Sequence, residues 1–147
     1  MFEEAVDARI VDRVGARGVA RRVAPGIEPA ADPKSAPGQD VAELLRKAAF
    51  RVGQPGAWTQ HYLGRFKNGI GTYVRATLAG DEIHSRCMLG ALYCEYDRDP
   101  SPNIHAAYDA IVRVIGTGLV ADWNDAPSRT QDDVVTVLLH AAEIAEV

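Results

Sequence analysis

Trp123-Asn124-Asp125-Ala126-Pro127-Ser128-Arg129-Thr130 is the stretch on which the fold turns. Asn and Asp side chains bond to nearby amides and favour a turn, and Pro127 pushes Ala126 toward an extended conformation, so no helix runs through this point. Helix formation restarts at Thr130. Its hydroxyl accepts from a first-turn amide, while Asp132 and Asp133 place negative charge at the positive end of the helix dipole. Val134, Val135, Leu138, Leu139, Ala142 and Ala145 then recur at the spacing of one helix face, with Glu143 and Glu146 opposite, which predicts a helix from Gln131 to about Ala145. Trp123 carries too much apolar surface to stay exposed cheaply. Its ring is expected to lock the turn onto the core, its indole N–H meeting a backbone carbonyl.

Working back from the turn, Ile104, Ala107, Tyr108, Ile111, Val114 and Ile115 form a helix face that starts at Ser101-Pro102 and stops at Gly116 and Gly118. Before it, Ser85 reads as the cap of a helix through Tyr96. Its small residues Cys87, Gly90, Ala91 and Cys94 invite close approach by another helix, while Leu89, Leu92 and Tyr96 make a second apolar stripe. This is the expected central helix. Val41, Leu44, Leu45, Ala48 and Val52 mark a further helix, begun by an Asp40/Glu43 capping box and ended near Val52 by Gly53 and Pro55.

The segment between is less regular. Trp58, Tyr62 and Phe66, four apart, are compatible with a short helix over 59–66. Thr72 to Leu78 alternates with the strand period, followed by a turn at Ala79-Gly80-Asp81, and any hairpin here must lie against the helices. The predicted fold is mainly α: a compact bundle of four to five helices with room for a small β-hairpin.

Towards the N-terminus, Phe2, Val6, Ile10 and Val14 suit an amphipathic helix, and Pro25, Pro29, Pro33 and Pro37 then punctuate a stretch with little to bury. Residues 1–39 therefore read as a helix plus a proline-rich arm, and 40–147 as a single helical domain. The arm is the expected contact for a protein partner or a second copy of the chain. Its five arginines are diluted by Glu3, Glu4, Asp7 and Asp12, and the whole chain of 147 residues carries a net charge of −4. Nucleic acid is not the expected partner. No basic-then-apolar leader and no membrane-length apolar run are visible, so a cytoplasmic location is expected.

Several motifs resemble a domain-of-unknown-function family of small proteins from actinobacteria and their phages. Cys87-Met88-Leu89-Gly90-Ala91-Leu92, a following helix, and the Trp123–Thr130 block before a Val/Leu-rich helix carry the resemblance, which spans roughly Val41 to Ala145. Where members have Gly-Trp near the first helix end, this chain has Ala57-Trp58. The resemblance implies an actinobacterial or phage setting and no activity.

Chemistry must therefore be read from the residues. Cys87, early in its helix beside Arg86, has two features that lower a thiol pKa, and His84 or His140 with Asp125 would complete Cys, His and acid roles for a hydrolase or transferase. The opposing reading is a small buried thiol among Met, Leu, Gly and Ala. Cys87 and Cys94 on one helix would lie about 10.5 Å apart at the helical rise, beyond the roughly 7 Å a disulfide allows, so both are expected reduced. The spacing of His84, Cys87, Cys94 and His140 matches no familiar zinc pattern, and neither a metal nor another cofactor is expected. Gly69-Ile70-Gly71 and Gly116-Thr117-Gly118 are turns rather than phosphate loops. The favoured function is a non-enzymatic interaction or ligand-binding protein, its candidate binding residues being Trp58, Tyr62, Trp123, Asn124, Asp125 and Arg129, with an Arg129–Asp125 ion pair bracing the turn.

Overall fold

The computed structural model describes residues 37–100 and 102–147. The expected helix over residues 2–14, the arm as far as residue 36 and the Ser101 cap lie outside the described residues. Among those described are five α-helices, α1 (Pro37–Val52), α2 (Met88–Arg98), α3 (Ile104–Ile115), α4 (Val120–Asn124) and α5 (Gln131–Glu146), with strands β1 (Gly64–Phe66), β2 (Gly71–Thr72) and β3 (Ile83–Arg86) and a 3-10 turn at Arg75–Thr77. The fold is mainly α with a small antiparallel sheet, as the patterning predicts.

Apolar periodicity builds the helical layer. In α1, Val41, Leu44, Leu45, Ala48 and Val52 are all buried, and the helix packs most extensively on α5 and then on α2. It begins at Pro37, so Asp40 contributes charge to the first turn instead of acting as the cap. α3 starts at Ile104, with Asn103 Oδ1 accepting from Ala106 N, and ends at Gly116, whose left-handed φ of 78° suits glycine. In α5, Thr130 and Asp133 form a reciprocal capping box. The helix is where the sequence places it, but its buried face is Val134, Val137, Leu138, Ala141 and Ala142, and Leu139 is exposed. Two registers of apolar residues overlap in α5, and packing against α1 and α3 selects between them.

α2 is the central helix. Every residue from Met88 to Glu95 is buried. Its start differs from expectation: Ser85 belongs to β3, and the N-cap is Cys87, whose Sγ accepts from Gly90 N at 3.2 Å. Gly90 does not admit another helix. A Cβ there would stand 2.0 Å from the Leu63 carbonyl oxygen, so the glycine lets the chain entering β1 lie directly on the first turn of α2.

The segment 59–78 departs furthest from its local pattern. No helix forms over 59–66. The four-residue aromatic spacing is coincidental, since His61 adopts a left-handed φ of 76° and Thr59 N donates to Arg86 O, pulling the backbone out of helical geometry. β1 is instead the middle strand of the order β2-β1-β3, pairing Gly64 with Thr72 on one side and with Arg86 on the other. The strand expected over 72–78 stops at Thr72. Val74 N bonds back to Thr72 Oγ1, and Thr77 Oγ1 donates to Val74 O, local bonds that favour a turn over a ladder. Tyr62 lies over Gly71, where a Cβ would meet its ring at 2.3 Å.

Candidate functional site

The Trp-Asn-Asp block ends α4, and its middle residue is the one on which neighbouring segments converge. Asn124 is 0% exposed. Its Oδ1 accepts from Trp58 Nε1 at 2.8 Å and from Met88 N at 3.0 Å, and its Nδ2 donates to Thr59 O at 3.2 Å and Asp125 Oδ1 at 2.9 Å. One side-chain amide thus satisfies an indole, the first amide of α2 and a loop carbonyl, using every donor and acceptor it has. Gln60 Nε2 adds bonds to Asn124 O and Ala126 O, and Asp125 Oδ1 accepts from His61 N. Residues 58–61, the end of α4 and the start of α2 form one polar knot.

Trp123 is partly buried and packs against the core, as its size predicts, while the indole bond into the knot is made by Trp58. Arg129 stacks its guanidinium 3.6 Å from the Trp123 ring centroid and donates from Nε to Trp123 O, in place of the expected ion pair with Asp125. Both contacts brace the turn. Tyr62 stands apart from the knot, in ring contact with Tyr73 at 5.1 Å and beneath Arg65 at 4.7 Å.

Cys87 adjoins the knot, 4% exposed, and Cys94 is a second buried free thiol. His84 and His140 are both exposed, on β3 and α5. The histidine beside Asp125 is His61, its Nδ1 3.8 Å from Asp125 Oδ2. Trp58, Asn124 and Asp125 are therefore brought together next to Cys87, without either histidine chosen from the sequence. No group of three His, Cys, Asp or Glu among the described residues is arranged to hold a metal ion.

A second feature was not anticipated from the sequence. A groove of about 540 Å³ runs between α1, α2 and β3, with Phe50, Arg51, Ala57, His84, Arg86 and Glu95 among its walls and Glu43, Arg46 and Lys47 at its edge. Its volume is that of a small-ligand site. Phe50 is 73% exposed, an aromatic ring on the charged side of α1. At the floor, Glu95 is buried and hydrogen-bonded to Arg51 Nε. Burial pulls the Arg51 guanidinium pKa down, but the Glu95 bond and the neighbouring Cys94 and Glu95 charges outweigh it, and the value ends above its ordinary one. The sequence does hold a signal for the groove: Phe50 is out of phase with Val41, Leu44, Leu45 and Ala48, and it sits among Arg46, Lys47 and Arg51.

The pair has a testable consequence. Arg51→Ala strands the buried Glu95 side chain and lowers stability by about 2 kcal/mol, less than the roughly 3–5 kcal/mol of a fully buried pair because the Arg51 side chain is 29% exposed. Changing both residues to Met recovers most of that loss, and urea unfolding of the single and double variants measures it.

The chain matches the model of a family of unknown function (DUF6197) over residues 36–144. No curated protein and no solved structure matches it.

Proposed function

The chain belongs to this family of unknown function, and from that premise we infer that it is a binding protein without a catalytic step, its groove between α1, α2 and β3 receiving the ligand. The observation that carries this reading is Phe50, 73% exposed above a groove of charged walls. An aromatic ring held in water at the mouth of a small-ligand-sized cleft gains free energy by burial under an incoming apolar group. The Asn124 knot supports the same reading from the other direction, since its polar atoms are spent on architecture.

In this proposal the helical domain, which begins with α1 at Pro37 rather than at residue 40, is the binding domain, and the residues before it are an arm for a protein partner or a second copy. The resemblance to small actinobacterial and phage proteins supports a cytoplasmic setting in such a cell. No helix among the described residues is long and apolar enough to cross a membrane.

The test is amide-resolved NMR of the full chain against a mixture of neutral, cationic and anionic fragments. Shifts concentrated at Phe50, Arg51, Ala57 and His84 are expected, and shifts elsewhere alone overturn the reading. The competing cysteine-hydrolase reading takes its support from Cys87 beside Arg86 at the start of α2. It predicts fast alkylation of Cys87 near neutral pH, whereas a thiol used as a cap inside the core labels at the rate of unfolding.

A further inference from the structure

The inference rests on the groove being the binding surface and names the chemistry it takes. Arg86, the last residue of β3, is only 5% exposed and yet lines the groove. Its Nε and Nη2 donate to Leu78 O at 2.8 and 2.6 Å, and Nη2 reaches Gly80 O at 3.5 Å. All of these acceptors are neutral carbonyls. The groove's buried acid, Glu95, is bonded to Arg51 instead, and none of the ion pairs among the described residues involves Arg86.

A buried cation held only by carbonyls is poorly compensated. Burial pushes the Arg86 guanidinium below its ordinary pKa, and the repulsion of Arg51 and Arg98 acts in the same direction against a partial offset from Cys94 and Glu95. The simplest role for Arg86 is to brace the 78–80 turn through its carbonyls. That role uses Nε and Nη2 and leaves Nη1 without a hydrogen-bond partner among the described residues. Nη1 is also not among the sealed, unsatisfied atoms. It is therefore not fully enclosed, and Arg86 is itself one of the groove's lining residues.

We propose that the groove binds a small monocarboxylate with an apolar tail, its carboxylate on the free edge of Arg86 and its tail between Phe50 and Ala57. The charge balance favours a single negative charge. Arg51 and Glu95 cancel at the floor beside Arg86, while at the edge Arg46 pairs with Glu146, Lys47 lies 3.9 Å from Asp99, and the acid of Glu43 is exposed to solvent, which screens it. Carboxylate to guanidinium is a charge-assisted bond, stronger still where water is excluded. Exposed His84 offers a second donor at the wall.

The experiment titrates the full-length chain with phenylacetate, with phenylacetamide as its neutral counterpart and with inorganic phosphate, at fixed ionic strength, following backbone and Arg side-chain resonances. Phenylacetate is expected to bind saturably, to move Phe50 and the Arg86 Nε, and to exceed phenylacetamide by about tenfold in affinity, the scale of one charge-assisted hydrogen bond. Phe50→Ala, at a position whose exposure leaves folding intact, is expected to weaken phenylacetate about threefold or more. Arg86→Lys keeps the charge but changes the geometry, and a comparable loss is expected where that variant folds.

Equal binding of acid and amide overturns the carboxylate and leaves the groove reading standing. Phosphate binding as tightly as phenylacetate, or an unchanged affinity in Phe50→Ala, overturns the apolar tail. Absence of any shift at the groove, from these probes and from the fragment mixture alike, removes both this inference and the reading beneath it.

Discussion

Asn124→Ala is expected to lower the unfolding free energy by about 4 kcal/mol, more than a typical single substitution. The alanine leaves Trp58 Nε1, Met88 N and Thr59 O without the amide that now serves them. Each buried polar group left unpaired costs about 1–3 kcal/mol, and the deleted side chain occupied a fully buried position. Asn124→Asp repairs this only in part. A carboxylate still accepts from Trp58 and Met88, but it cannot donate to Thr59 O and it stands against Asp125. Trp58→Phe separates the contributions, since it removes one donor while keeping an aromatic ring, for about 1 kcal/mol. Urea unfolding followed by near-ultraviolet circular dichroism ranks the three variants. Equal stability of Asn124→Ala and the parent would show that the knot is decoration.

Gly90→Ala is expected to be at least as damaging, lowering Tm by about 20 °C or preventing folding. In an ordinary helix the change stabilises by up to about 1 kcal/mol, because alanine is the better helix former. Here the added Cβ would lie 2.0 Å from Leu63 O and 3.0 Å from Leu63 C. Those atoms are main chain and cannot rotate aside. Leu63 O also accepts from Cys87 N at 3.0 Å, so moving it breaks a bond at the start of α2 as well as the entry to β1. Gly118→Ala is the control. No atom lies within 4 Å of its Cβ position, and its stability should change by no more than about 0.5 kcal/mol. Thermal melts of the two variants settle the comparison, and a Gly90→Ala protein that melts with the parent refutes the contact.

Both sites show where local reading reaches its limit. α1, α3 and α5 were legible because apolar residues recur at helical spacing and are bounded by Gly53, Gly116 and Thr130, signals that act within a few residues. The 59–66 segment was not. Trp58, Tyr62 and Phe66 imitate a helical stripe, while the backbone between them is set by Asn124 and Arg86, both remote in sequence. Asn124 and Asp125 were recognisable as turn formers, yet nothing near them reveals that the important indole is Trp58 rather than Trp123. The cap of α2 was missed because sulfur stands where oxygen is the usual acceptor. In the groove, Phe50 is the signal that the reading of α1 passed over, an aromatic on its charged face. The Arg51–Glu95 bond and the uncompensated Arg86 required α1, α2 and β3 to be placed together first.

The seam between α1 and α5 has a practical corollary. Gly38 lies so close to the last turn of α5 that a Cβ would stand 2.6 Å from Ala145 O, and Arg46 meets Glu146 across the same seam at 2.6 Å. Residues 37 and 147 are thus brought to one edge of the helical layer. In a chain shortened to begin at residue 37, that arrangement lets a short peptide splice join the two while the backbone is opened elsewhere, and Gly69, with no atom within 4 Å of its Cβ position, offers the place for the cut.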